Sequence, residues 1–257
     1  MNTNFVTSSD RFQIAYDVHG SGPALLLLHG FSNDRTIWSA HEWIDRLQQQ
    51  FTVITMDLRG CGESTGVTNP AAYAVEHHLA DLHAVTDACG FDQFRVWGWS
   101  FGATIGLHLA SRSPRVMQAV IAGTYFGRIF TEAYIQRQLT QIEPLARAQA
   151  EGKLDQLDLP PETRAFAART NLPVYLARLK GLSSWPSVEP QDVQCPMLVY
   201  TGTADGNVVV QLQEQRAAIE AAGLQLHIFD ELNHIQLLSQ QDTVFPVIQA
   251  FFKSSDL

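Results

Sequence analysis

Two short runs, Ala24–Leu28 (ALLLL) and Met197–Tyr200 (MLVY), are apolar without interruption. A strand with one wet face alternates apolar and polar residues, so a strand that never alternates must be covered on both faces. Helices on either side of a mostly parallel sheet provide that cover. Five further runs, FQIAYDVHG, FTVITMD, FRVWGWS, MQAVIAG and LQLHIFDEL, fit strands, with Gly, Asp or Asn recurring at their boundaries. Helical patterns lie between them. In AAYAVEHHLADLHAVTDACG, Val75, Leu79, Leu82 and Val85 share one stripe and Gly90 can end the helix. Strands alternating with helices are β-α-β crossovers. Phe12–Val18 alternates, which predicts an edge strand.

The rhythm breaks from Tyr125 to Pro186, where helical patterns follow one another with no convincing strand. This stretch is predicted to be a helical insertion over the sheet. The expected organisation is a core in two parts, residues 1–124 and 187–257, around a helical cap at 125–186. The whole chain of 257 residues, 46% apolar, is long enough to bury one such α/β core. The cap carries a net charge of +2 on a chain of net charge −9. That overall charge repels phosphate backbones and anionic lipid, and no basic run offsets it, so neither nucleic acid nor membrane is an expected partner. No leader-like N-terminal pattern is present, and no segment approaches the roughly 20 apolar residues of a membrane span. Cys61, Cys89 and Cys195 are odd in number and far apart, which fits free thiols in a reducing cytoplasm.

VWGWSFGAT places a serine between glycines, with a strand pattern before it and a helix pattern, ATIGLHLASRSP, after it. A serine hydroxyl is a weak nucleophile until a base takes its proton, and it must be exposed to attack anything. A sharp strand-to-helix turn exposes Ser100 but crowds the chain, so small residues are needed at Gly98 and Gly102. The plainer alternative is a Gly-rich loop in which Ser100 only caps the helix.

Its partners follow in order. After the elbow region, histidines occur at 227 and 234. His227 lies inside the strand pattern LQLHIF, whereas His234 lies just past it in ELNHIQLL, so His234 is the candidate base. For the acid, Asp205 stands in a Gly-flanked loop directly after the strand MLVYTG. Asp192 precedes that strand, Asp230 is too near His234 in sequence, and Asp57 comes before the serine. Backbone amides suit the developing oxyanion because they need no reorganisation. Phe101 follows the nucleophile and Phe31 lies in the loop after LLLLHG, so their N–H groups are the candidates. His29 is read as a brace for that loop.

Together these motifs resemble the α/β-hydrolase superfamily, specifically its small, lid-bearing, esterase-like branch, over nearly the whole chain. The resemblance rests on HGF at 29–31, DLRGCGES at 57–64, GWSFG at 98–102, GTAD at 202–205 and the NH pair at 233–234. It implies an eight-stranded, mostly parallel sheet with the second strand antiparallel, flanked by helices, with a helical cap after strand six. Two positions depart from the family pattern: Asn233 stands where Gly is common before the histidine, and valines follow Asp205 where proline is common.

The reading is a serine hydrolase acting on a carboxylic ester or lactone of a small molecule. C–C bond hydrolysis and cofactor-free perhydrolysis use the same residues, and a receptor-like binding role is the alternative from another class. Aspartate-elbow chemistry, as in haloalkane dehalogenases and epoxide hydrolases, is disfavoured by Ser100. Phe31, Trp99 and Tyr125 are the expected substrate contacts, favouring an apolar group. His77, His78, Asp81 and His83 form a histidine-rich patch without a second ligand pair elsewhere, and GCGES lacks a phosphate-loop lysine. No nucleotide or metal cofactor is implied.

Overall fold

The computed structural model describes residues 3–254; the outermost residues of both expected core parts, 1–2 and 255–257, lie outside it. Eight strands form one sheet: β1 (Asn4–Thr7), β2 (Gln13–His19), β3 (Ala24–Leu28), β4 (Thr52–Met56), β5 (Phe94–Trp99), β6 (Val116–Ala122), β7 (Met197–Gly202) and β8 (Gln225–Phe229). Their order is β1-β2-β4-β3-β5-β6-β7-β8. Only β2 runs against the rest, pairing antiparallel with β1 and β4.

One expectation is corrected here. The alternating strand β2 is not an edge, because β1 pairs along it from Thr7↔Gln13 to Asn4↔Tyr16. The alternation of β2 reflects its near-edge position, and the four-residue β1 is mostly exposed and too short to show a pattern of its own.

Parallel pairing without a break explains the uniform apolar runs. Along β3, Leu26 and Leu28 join one buried cluster while Leu25 and Leu27 join the other. Both faces are therefore core, and burying each such side chain is worth about 1.5–3 kcal/mol. Helices α1 (Ile37–Ala40), α2 (Trp43–Leu47), α3 (Val75–Ala88) and α4 (Phe101–Ala110) follow in the first part of the chain. Between β6 and β7 come α5 (Glu132–Ala150), α6 (Pro161–Arg169) and α7 (Leu172–Gly181), and then α8 (Gly206–Ala221), α9 (Gln236–Ser239) and α10 (Gln241–Lys253). The first of these covers are on different faces: α3, α4 and α8 contribute to the first cluster, and α1, α2 and α10 to the second.

The register decides where loops meet. Leu28 pairs with Gly98, Trp99 with Ala122, and Ala122 with Tyr200. Strands β3, β5, β6 and β7 thus end at one level, and the loops leaving their carboxyl ends converge there, the general location of sites in open α/β sheets. The helical stretch 125–186 is tied down at several points. Thr131 caps α5 by accepting from the Tyr134 amide, and Asn171 caps α7 by accepting from that of Val174. Trp185 Nε1 donates to the Tyr73 carbonyl, and Gln215 of α8 bonds both backbone groups of Phe126. Among the described residues no helix is long and apolar enough to cross a membrane.

Candidate active site

The turn from β5 into α4 holds Ser100 at φ 58°, ψ −118°, a backbone conformation that is costly for a residue with a Cβ. Close approach is what makes the flanking glycines necessary. A Cβ on Gly98 would lie 2.3 Å from the Gly102 carbonyl oxygen, and one on Gly102 would lie 2.1 Å from that of Leu28. Main chain therefore packs on main chain, and Ser100 is left partly exposed at the top of the sheet.

Around it the loops bring together the side chains that sequence reasoning paired. Ser100 Oγ lies 2.9 Å from His234 Nε2, and His234 Nδ1 lies 2.9 Å from Asp205 Oδ1. Asp205 is buried, and its second oxygen accepts from Thr201 Oγ1 at 2.9 Å, which fixes the carboxylate plane. With an acceptor at Nδ1, the neutral imidazole carries its proton there and leaves Nε2 free to accept from Ser100. Asn233 does what a small residue would not: its Oδ1 accepts from the amides of Ile235 and Gln236 and caps the turn that carries His234.

The Phe31 and Phe101 amides have no acceptor among the described residues, and both residues line the cavity that Ser100 and His234 share. His29 anchors the loop carrying Phe31. Its Nε2 accepts from the Leu58 amide at 3.0 Å, so Nδ1 carries the proton and donates to the Gly30 carbonyl at 2.8 Å. Complete burial holds it neutral, pushing it down to about 4. Buried Asp57 supports the same region, accepting from the Arg35 and Glu63 amides and pairing with the Arg35 guanidinium at 2.5 Å.

The cavity over Ser100 has a volume of about 320 Å³ and is walled by Phe31, Phe101, Tyr125, Ile129, Phe130 and Leu179, among others. Phe31 and Tyr125 are thus placed at it. Trp99 is not, which corrects its assignment as a substrate contact: it is buried on the other face of the sheet. Its side chain points opposite to its neighbour's because β5 alternates, and its Nε1 donates to the His234 carbonyl at 3.1 Å. Its ring lies 5.2 Å from the imidazole. Trp99 is a support for the histidine.

The histidine-rich patch on α3 does not converge. Asp81 is taken by the buried Arg59, His77 lies near Asp10, and His78 is buried against Tyr73, Phe101 and Trp185. No group of three His, Cys, Asp or Glu side chains among the described residues is arranged to hold a metal. His227 packs on Phe229 away from Ser100. Sequence reasoning missed Thr201 and Arg178. Thr201 is four residues before Asp205, a spacing that marks it as a possible partner of the acid. Arg178 carried no signal beyond the basic tally of the cap.

A sequence profile described as the alpha/beta hydrolase fold matches residues 23–139. The chain has the α/β-hydrolase fold. The uncharacterised hydrolase YraK of Bacillus subtilis is 36% identical over 108 residues, 42% of this chain and 39% of that protein. The pimeloyl-[acyl-carrier protein] methyl ester esterase of Vibrio campbellii is 24% identical over 90% of this chain and 95% of its own. Among solved structures, a thermophilic esterase from Thermogutta terrifontis aligns with a TM-score of 0.78 at 22% identity, covering 99% of each chain. The matches to the first curated relatives span only about a third to two fifths of their length, 39%, 32% and 31%. What the chain shares with the solved structures is the fold.

Proposed function

We propose that this protein is a serine hydrolase that cleaves a carboxylic ester or lactone of a small, largely apolar substrate through an acyl-enzyme. The observation that carries the reading is the chain of two 2.9 Å contacts from Ser100 Oγ through His234 to Asp205. Ser100 Oγ attacks the carbonyl carbon while His234 Nε2 takes its proton. Asp205 keeps the proton on Nδ1 and stabilises the imidazolium. The carbonyl electrons move onto oxygen, where the Phe31 and Phe101 amides hold the charge; each such donor is typically worth about 3 kcal/mol of barrier. His234 returns the proton to the leaving alcohol, or to the ring oxygen of a lactone. Water then repeats the sequence on the acyl-enzyme and frees Ser100. No step draws on a metal or cofactor.

Residues 125–186 act in this proposal as a cap, because Tyr125, Ile129, Phe130 and Leu179 close the cavity over the nucleophile. The apolar wall favours an uncharged acyl or alcohol group at the reacting end. Serine at the elbow favours acyl transfer over the aspartate-dependent chemistries of the fold, and the similarity to a methyl ester esterase over nearly the full chain favours esters. Three free thiols, which burial pushes up to about 11 at Cys61 and Cys89 and about 12 at Cys195, suit a cytoplasmic setting.

The test is a chain-length series of p-nitrophenyl esters, acetate to octanoate, on wild type and Ser100→Ala. Turnover that Ser100→Ala abolishes is the expected result. Turnover unchanged in Ser100→Ala overturns the nucleophile, and tight ligand binding with no turnover moves the protein to the receptor-like role.

A further inference from the structure

Arg178 is buried within the cap, on α7, with only 4% of its surface exposed. Its Nη2 donates to the Phe31 carbonyl at 2.9 Å, and its Nε is buried without any partner. The guanidinium lies over the Phe31 ring, 4.1 Å from its centroid, and 5.9 Å from those of Phe101 and Tyr175. Among the described residues no carboxylate pairs with it. Aromatic faces attract a cation but accept none of its N–H bonds in the plane of the fork. Buried charges are almost always paired, because an uncompensated one is costly.

This guanidinium also lines a cavity of about 320 Å³ between the Phe31 loop, the 60–62 turn and the cap. Arg169 stands in the same wall. The one carboxylate there, Asp34, directs Oδ1 to the amide and hydroxyl of Thr36. The cavity is therefore cationic on balance, and Phe31 is common to it and to the cavity over Ser100.

We propose that this second cavity is a carboxylate-binding site, with Arg178 as its anchor, and that the preferred substrates are esters or lactones carrying a free carboxylate. The half-esters of dicarboxylic acids are the simplest members of that class. The missing counter-charge is brought by the ligand. The planar fork of Arg178 donates to a carboxylate side by side with the Phe31 carbonyl it already holds, and the scissile group lies beyond the Phe31 ring at Ser100. The substrate part of this inference rests on the serine-hydrolase reading; the binding part does not.

The test therefore has a binding arm and a kinetic arm. Glutarate and inorganic phosphate are titrated calorimetrically into Ser100→Ala protein, alone and combined with Arg178→Met or Arg178→Lys. Glutarate is expected to bind, more tightly than phosphate, and to lose roughly 10- to 100-fold in affinity with Arg178→Met, the scale of a charge-assisted pair. Arg178→Lys, which keeps the charge but not the fork, is expected to fall between. In the kinetic arm, the ratio of kcat/KM for monomethyl glutarate to that for dimethyl glutarate is expected to drop at least about tenfold in Arg178→Met. Should Arg178→Met fail to fold, Arg178→Lys and competition by glutarate in the wild type still decide the matter. Absence of glutarate binding and inhibition overturns the site, as does binding or an ester ratio indifferent to position 178. Equal binding of phosphate overturns the carboxylate assignment. Arg178-dependent glutarate binding without turnover of either ester overturns the hydrolase reading alone.

Discussion

Replacing Gly102 by alanine is a sharp test of how the elbow is built, because the structure shows what the new methyl group would meet. It would lie 2.1 Å from the Leu28 oxygen, 2.4 Å from the Leu28 carbonyl carbon and 2.8 Å from the His29 oxygen. All three are main-chain atoms at the end of β3, a strand held on both sides by β4 and β5. None can swing away as a side chain can. Gly106, one turn further along α4, is the internal control: its added methyl would meet only Ile121 Cδ1, at 2.7 Å, the far end of a flexible side chain. Overpacking a tight core costs about 1–3 kcal/mol, and Gly102→Ala belongs at or above the top of that range. Gly106→Ala recovers about 0.5–1 kcal/mol of helix propensity and should come out within about 1 kcal/mol of wild type. For a domain of this size about 1 kcal/mol moves Tm by roughly 2–4 °C, so a cost of about 3 kcal/mol should make Gly102→Ala melt about 6–12 °C lower. Displacing Leu28 also moves the loop carrying the Phe31 amide, so ester turnover should fall at least about tenfold. Thermal and urea denaturation of both variants, with p-nitrophenyl ester kinetics, make the comparison. A Gly102→Ala protein no less stable than Gly106→Ala would refute the close-approach argument.

Two other outcomes follow from the same geometry. Asp205→Asn keeps the shape but favours the wrong imidazole tautomer, so kcat should fall by about 10³–10⁴ while KM changes little; steady-state kinetics check this, and a loss below about tenfold would contradict the role given to Asp205. Stability should also fall on acidification. Burial depresses His29 to about 4, His108 to about 3 and His78 well below its ordinary value. The unfolded chain then binds protons that the folded one refuses, so their contribution is full above pH about 6.5 and is lost by up to about 1.4 kcal/mol per histidine per unit below it. Asp57 and Asp81, pushed up by burial, bind protons in the folded state and oppose the fall at its acid end. Urea midpoints at neutral and mildly acidic pH measure this, and flat stability between about pH 6.5 and 5 would contradict it.

What could be read from the sequence was whatever depends on local pattern. The unbroken apolarity of Ala24–Leu28 forecast a strand covered on both faces, and the helix-strand rhythm forecast the sheet's parallel run. The order Ser100, Asp205, His234 was legible because each lies in the loop just past a strand. Other features depend on partners distant in sequence. β1 is four residues long and takes its place only by pairing with β2. Trp99 looked like a pocket residue beside Ser100, yet the two-residue period of β5 turns its ring to the opposite face. The loop around Phe31 is set by Leu58 and Arg178, which are 27 and 147 residues away along the chain. Nothing local in the sequence marks either contact.

The central claim is that Ser100 is a nucleophile activated by His234. Incubating the wild type, His234→Ala and Ser100→Ala with a fluorophosphonate, and locating the adduct by peptide mass spectrometry, tests it without assuming any substrate. A stoichiometric adduct on Ser100 is expected in the wild type, with labelling slowed by at least about 10³-fold in His234→Ala and none in Ser100→Ala. Equal labelling rates in wild type and His234→Ala, or an adduct on another residue, would contradict it.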